Sequence, residues 1–154
     1  MAVQCDNSHL KEENISLPNL PEKPDDTKAR MLSAVTLAFV GDAVFELMVR
    51  TKLACEGTRP AGSLHTLAIK HVSASAQSKA VERLIPQLTE EETAVYKRGR
   101  NANSVTHPKN TSFSEYRRAT GFECLFGYLY LCGRTERLEE LFALMVENDT
   151  PKEE

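Results

Sequence analysis

Residues 34–49 read Ala34-Val-Thr-Leu-Ala-Phe-Val-Gly-Asp-Ala-Val-Phe-Glu-Leu-Met-Val49, apolar at twelve of sixteen positions, with Thr36, Gly41, Asp42 and Glu46 the exceptions. A proline-free run of this length, with Ser33 or Thr36 near its start, predicts a helix. A helix that is apolar nearly all the way round belongs at the centre of a domain. A second such stretch, Ala119 to Cys132, is broken only by Thr120, Gly121, Glu123 and Gly127. Two central helices are therefore expected.

Around them the remaining pattern is also helical. After a break at Glu56-Gly57-Thr58-Arg59-Pro60, residues 61–85 carry Leu64, Leu67, Ala68, Val72, Ala76, Ala80, Val81 and Leu84 at three- and four-residue spacings, which fits one long helix or two consecutive ones. Pro86 ends that segment. Leu88-Thr89-Glu90-Glu91-Glu92 has the cap and early acids of a new helix, running through Val95 and Tyr96 and closed by Gly99. Residues 101–112 are polar, contain Pro108 and have no period, so a loop is expected, with Ser112 or Ser114 capping the helix after it. An amphipathic helix from Thr135 to about Glu147 completes the chain. No alternating strand and no repeat is found, so the expected fold is all-α, a helical bundle. Residues 1–27, with three prolines, six acids and few large apolar side chains, read as a flexible tail; residues 28–148 form one domain; residues 149–154 are a charged, disordered end.

Composition narrows the class. A chain of 154 residues with 41% hydrophobic and 27% charged residues is one globular domain. Nineteen Lys and Arg against 22 Asp and Glu give a net charge of −3, which excludes a uniformly basic coat but not a local basic patch. The chain has neither an apolar run of membrane-spanning length nor a secretory leader, so a cytoplasmic protein without membrane partners is expected. Cys5, Cys55, Cys124 and Cys132 are widely spaced without a C-x-x-C pair, which argues for reduced thiols, the last three semi-buried. Neither a P-loop nor GxGxxG is present, and the histidines lack metal-ligand spacing.

Both apolar helices carry carboxylates in their interior, Asp42 and Glu46 in the first and Glu123 in the second. A carboxylate in such surroundings must be protonated, paired with a cation or bound to a metal. If the helices cross, Asp42 and Glu123 converge on a hard cation such as Mg²⁺, with water and phosphate completing its shell. The alternative is simple pairing with Arg50, Arg117 or Arg118. Gly41, Gly121 and Gly127 beside the acids allow close approach of helices or of a ligand. Between Tyr96 and Arg118, six cations (Lys97, Arg98, Arg100, Lys109, Arg117, Arg118) stand against Glu115 alone, a local balance of +5. With Asn101, Asn103, Ser104, Thr106 and Asn110 interleaved, this segment suits a nucleic-acid backbone. A solvated charged loop is the competing reading.

Leu37 to Leu47, with its Gly-Asp step and a Glu four residues on, resembles the signature helix of the ribonuclease III family. Lys97-Arg-Gly-Arg-Asn-Ala-Asn-Ser104, Pro108-Lys-Asn-Thr111 and Tyr116-Arg-Arg-Ala-Thr-Gly-Phe-Glu-Cys-Leu-Phe-Gly-Tyr-Leu-Tyr-Leu131 resemble its small Mini-ribonuclease III branch, and the likeness runs from about Met31 to Glu147. The resemblance implies the helical, homodimeric ribonuclease III catalytic domain without a double-stranded-RNA-binding domain. It also implies a Mg²⁺-dependent endoribonuclease that cleaves double-stranded RNA, leaves 5′-phosphate and 3′-hydroxyl ends, and matures the large-subunit (23S-type) ribosomal RNA precursor, with a ribosomal protein as a candidate presenter of the substrate. By motif position it makes Asp42 and Glu123 the catalytic, metal-binding acids, with Glu46 in a supporting role. Lys97, Arg98, Arg100, Asn101, Asn103, Thr106, Lys109, Asn110 and Arg117 become the RNA-binding set. Ala38 and Thr120 stand where the longer family pattern has Glu and Asp, so two of the usual four carboxylates are absent. The alternatives are a non-catalytic RNA-binding or ribosome-associated scaffold of the same fold, or a helical protein-interaction module.

Overall fold

Seven α-helices and one 3-10 turn make up the regular structure of residues 21–103 and 109–146, the part of the chain that the computed structural model describes. Among these residues there is no strand, as the helical periodicity requires. Helix α1 (Asp26–Met31) is capped by Asp25, whose carboxylate accepts from the Lys28 amide at 2.8 Å. It straddles the expected boundary at 27/28, and its Ala29 is fully buried. Ser33 caps α2 (Ala34–Cys55) by accepting from the Thr36 amide at 3.1 Å. This helix runs six residues past the apolar stretch because Leu53 continues the buried register of Phe45 and Val49.

The segment 61–85 is two helices, α3 (Ala61–Val72) and α4 (Ala74–Leu84). Ser73 explains the break: its backbone is extended, and its hydroxyl accepts from the Ala76 amide at 3.3 Å, ending one helix and capping the next. Pro86 lies in the 3-10 turn Ile85–Gln87. Reciprocal capping boxes, Thr89 with Glu92 and Ser112 with Glu115, start α5 (Glu90–Arg100) and α6 (Phe113–Leu131). Ser112, rather than Ser114, is thus the cap. Gly133, with φ of 70°, turns the chain into α7 (Thr135–Val146).

The core forms around α6, which α1, α2, α4, α5 and α7 all touch. Nine of its residues are buried, from Ala119 to Leu129. Phe45 of α2 meets Phe122 and Phe126 edge-on, with ring centroids 4.9 and 5.8 Å apart. Helices α2 and α6 interlock through glycine: a Cβ on Gly41 would overlap the Glu123 carbonyl oxygen, and one on Gly127 would overlap that of Leu37. Gly99 is a contact of the same kind, 2.9 Å from the Gly121 Cα if given a Cβ, and α5 continues through it to Arg100 rather than closing there.

Two further expectations need correction. Helix α2 is not buried all round, since Val35, Phe39 and Leu47 are 65%, 81% and 66% exposed in the single chain. Its neighbours α3, α5 and α6 cover other faces and leave this apolar stripe open. Cys124 is buried and Cys132 half-buried as expected, but Cys55 is exposed because it lies in the last turn of α2, beyond Leu53. The expected tail residues 1–20, Thr106 and the end from Glu147 lie outside the described residues.

Candidate active site

The crossing of α2 and α6 opens beside the end of α5 into a cavity of about 440 Å³. Asp42, Asn103, Tyr116, Arg117, Thr120 and Glu123 line it, with Val35, Ala38, Phe39, Gly99 and Ala102. The Gly41 contact on the Glu123 backbone explains the convergence: where two helix axes approach this closely, the neighbouring side chains Asp42 and Glu123 project into one space. Ala38 and Thr120 line the same cavity, so the two positions that lack a carboxylate belong to this site. The Thr120 hydroxyl donates to the Tyr116 carbonyl at 3.0 Å.

The electrostatics set these acids apart from every other carboxylate described. Burial, then the Asp42 charge, push Glu123 up to about 8, against a smaller downward pull from Gln77. Asp42, exposed at the mouth, is also raised, by partial desolvation and then by Glu46. Glu92 is the contrast. It is only 3% exposed, and desolvation pushes its carboxyl up, but Arg137 at 2.8 and 2.9 Å together with Thr89 outweighs that and holds it below its ordinary value. Arg134, then Tyr128, likewise hold Glu91 near 2. Burial alone therefore does not raise a carboxyl in this fold; burial without a cation does.

The three arginines available to neutralise the acids are engaged elsewhere. Arg50 donates to Glu46, with Nε at 2.9 Å. Arg118 pairs with Glu82 at 2.9 Å, and Arg117 donates to the Arg100 carbonyl at 2.7 Å and to Asn101 Oδ1 at 3.2 Å. Glu46 is thus a partner of Arg50 on α2, one turn beyond Asp42, and does not line the cavity.

The basic set divides. Asn103 and Arg117 reach the acidic cavity, and Arg100, Asn101 and Arg117 share a shallow cavity next to it with Phe113, Ser114 and Arg118. Arg98 faces away, donating to the Arg30 carbonyl at 2.7 Å and lying beside the Cys124 thiol. Lys97, Lys109 and Asn110 are exposed and line neither cavity. Tyr116, the first residue of the stretch that resembles the family up to Leu131, lines the cavity without having been assigned a role, and Gln77 acts on Glu123 with no motif to announce it. Gln77 had one signal: it lies in register with Ala80, Val81 and Leu84, on the face of α4 that is otherwise buried and mostly apolar.

Among the described residues no group of three or more His, Cys, Asp or Glu could hold a metal. The two cavity acids nevertheless fit a hard divalent ion. They offer oxygen donors only, they have no cationic partner among the described residues, and the alanine and threonine beside them leave room for water or phosphate as further ligands.

Comparison with known proteins gives the family. The family described as Ribonuclease III domain matches residues 35–134, the span that contains both acids. Mini-ribonuclease 3 of Thermoanaerobacter sp. (strain X514) is 47% identical over 116 residues, covering 75% of this chain and 82% of that protein. Mini-ribonuclease 3 of Enterococcus faecalis is 46% identical over 114 residues, covering 73% and 86%. A crystal structure of a Fusobacterium nucleatum protein superposes with a TM-score of 0.73 at 28% identity, covering 82% of this chain and all of that one. With a family match over most of the chain and relatives this similar along most of their own lengths, the chain belongs to the ribonuclease III family, in its Mini-ribonuclease 3 branch.

Proposed function

We propose that this chain cleaves double-stranded RNA as a Mg²⁺-dependent homodimer, leaving 5′-phosphate and 3′-hydroxyl ends, and that its substrate is the precursor of large-subunit ribosomal RNA. The family makes it an endoribonuclease, a hydrolase of phosphodiester bonds in duplex RNA. The observation that carries the metal-dependent part of this reading is the pair Asp42 and Glu123 in one cavity, both raised and neither neutralised by a cation among the described residues.

Asp42 and Glu123 would hold the metal. The chemistry that Mg²⁺ would supply there is Lewis-acid polarisation of a phosphate and a lowered pKa for water. Glu123 gives up its proton when the cation loads, so loading is favoured as pH rises. The described residues lining the cavity include no Lys or His. Asn103 and Arg117 at the rim meet the RNA backbone, and Arg100 and Asn101 extend that contact along the neighbouring cavity. These contacts suit phosphates and 2′-hydroxyls rather than base edges. Glu46 supports the site indirectly, by holding Arg50 one turn further along α2.

The homodimer reading is supported by the open stripe on α2. Phe39 and Leu47, with Val44, Met48, Tyr130 and Leu138, line a mostly apolar groove of about 580 Å³, which is out of place on a solvated monomer. Kinship with Mini-ribonuclease 3, rather than the geometry, supports the ribosomal precursor as substrate, a ribosomal protein as its presenter and a cytoplasmic location. No described helix is long and apolar enough to cross a membrane.

The test is cleavage of a large-subunit ribosomal RNA precursor, naked and with its ribosomal proteins, in Mg²⁺ and in EDTA, with the new ends mapped. Discrete Mg²⁺-dependent cuts with 5′-phosphates are expected. Salt-sensitive binding without cleavage in either form of the precursor would favour a non-catalytic scaffold instead.

A further inference from the structure

Gln77 lies in the first turns of α4, on the face that packs against α6. It is 1% exposed, and neither its amide nitrogen nor its amide oxygen has a hydrogen-bond partner among the described residues. No other buried side-chain oxygen or nitrogen described in this chain is left in that state. Leaving a buried polar group unpaired costs about 1–3 kcal/mol, and an apolar side chain of similar volume would avoid it. Ser75, two residues earlier in α4, is engaged elsewhere, on Glu115 at 3.2 Å.

What the amide faces is the Glu123 carboxyl, whose ionised form it favours. Favouring a carboxylate is the act of a donor, so Nε2–H is the end of the amide able to serve Glu123. A carboxylate that gives one oxygen to a cation leaves the other in need of a donor, and such outer partners fix the ligand's orientation. Glu123 has no arginine, lysine or hydroxyl among its described hydrogen-bond partners to fill that place, and Gln77 is buried directly against it.

We propose that Gln77 is a positioning residue, whose Nε2–H closes a hydrogen bond to Glu123 when that carboxylate takes the divalent cation together with Asp42, and so sets the affinity of the site for metal. The proposal rests on the reading of Asp42 and Glu123 as metal ligands. The amide orphaned in the metal-free chain is then the group that metal loading satisfies.

The test uses the full chain without RNA. Mn²⁺ binding, followed by the electron-spin resonance of the free ion, is measured for wild type, Gln77→Leu and Asp42→Asn, and the metal-free melting temperatures are recorded alongside. Gln77→Leu should melt at or above the wild-type temperature, because two unpaired atoms are removed, yet bind Mn²⁺ about 10–100-fold more weakly. Its cleavage should recover at raised Mg²⁺. Unchanged Mn²⁺ affinity in Gln77→Leu, with affinity lost in Asp42→Asn, overturns the role of Gln77 while leaving the metal site standing. No Mn²⁺ binding by wild type, or equal binding by Asp42→Asn, overturns both. If Gln77→Leu does not fold, the wild-type protein decides: the Gln77 side-chain amide proton resonance should move downfield on adding Mg²⁺, and a resonance that stays in place contradicts the proposal.

Discussion

Glu123 keeps its proton to about pH 8 in the metal-free chain, through burial and the neighbouring Asp42, and this has a measurable sign. Its folded value lies above its ordinary one, so the folded chain binds a proton that the unfolded chain has released. Its contribution to stability is complete below about pH 4.5 and is lost as pH rises through 8. In EDTA the melting temperature should therefore fall between pH 6 and pH 8.5, on the order of 5 °C, and the fall should flatten in Glu123→Gln. Calorimetry of the two proteins checks this; an equal fall in both would mean that other groups carry it. Asp42 and Glu123 are legible in the sequence because each interrupts a run that is otherwise apolar. Gln77 is not, because an amide in a helical register reads as a solvated residue until the neighbouring helix is placed. The burial of Glu92 is equally hidden, since Thr89 and Arg137, which make it tolerable, are a cap and a residue of another helix.

At the scale of elements, the site depends on how closely α2 approaches α6. A Cβ at Gly41 would meet backbone on α6, the Glu123 carbonyl and the Gly127 nitrogen, and backbone cannot rotate away as a side chain can. Gly41→Ala should thus destabilise the fold by about 3 kcal/mol, the upper end for overpacking, and should displace the acids from one another. Gly62 is the internal control. Its Cβ would meet nothing within 4 Å, so Gly62→Ala in α3 should be neutral or stabilise by up to about 1 kcal/mol. Chemical denaturation of the two variants separates steric interlock from helix propensity, and equal effects would contradict the interlock. Helix number and most caps follow from local signals, such as Thr89 and Ser112 three residues before a Glu. The role of Gly99 does not: a glycine late in a helical pattern reads as a terminator, and only its packing against Cys124 and Gly121 of α6 shows that α5 needs it for contact.

At the scale of the whole molecule, a helix apolar all round has two explanations, burial in its own domain or burial against a second copy. Helix α6 takes the first, enclosed by five helices, whereas α2 leaves Phe39 and Leu47 open. Sequence pattern alone does not distinguish them, because the hydrophobic effect has no direction. Leu47→Asp places a charge where the single chain is already exposed. If the proposed homodimer forms through this stripe, the variant should keep its fold while the mass seen by light scattering shifts from dimer to monomer; a monomeric wild type, or an unchanged mass, would contradict it. Whether Asp42 and Glu123 together hold the metal for RNA cleavage is decided by incubating a labelled RNA duplex with wild type, Asp42→Asn and Glu123→Gln at saturating Mg²⁺. Losing an outer partner of a metal ligand already costs about 10–100-fold, so each variant, which loses a ligand itself, should cleave at least about 100-fold more slowly while still binding the duplex. Full Mg²⁺-dependent cleavage by either variant would contradict the assignment.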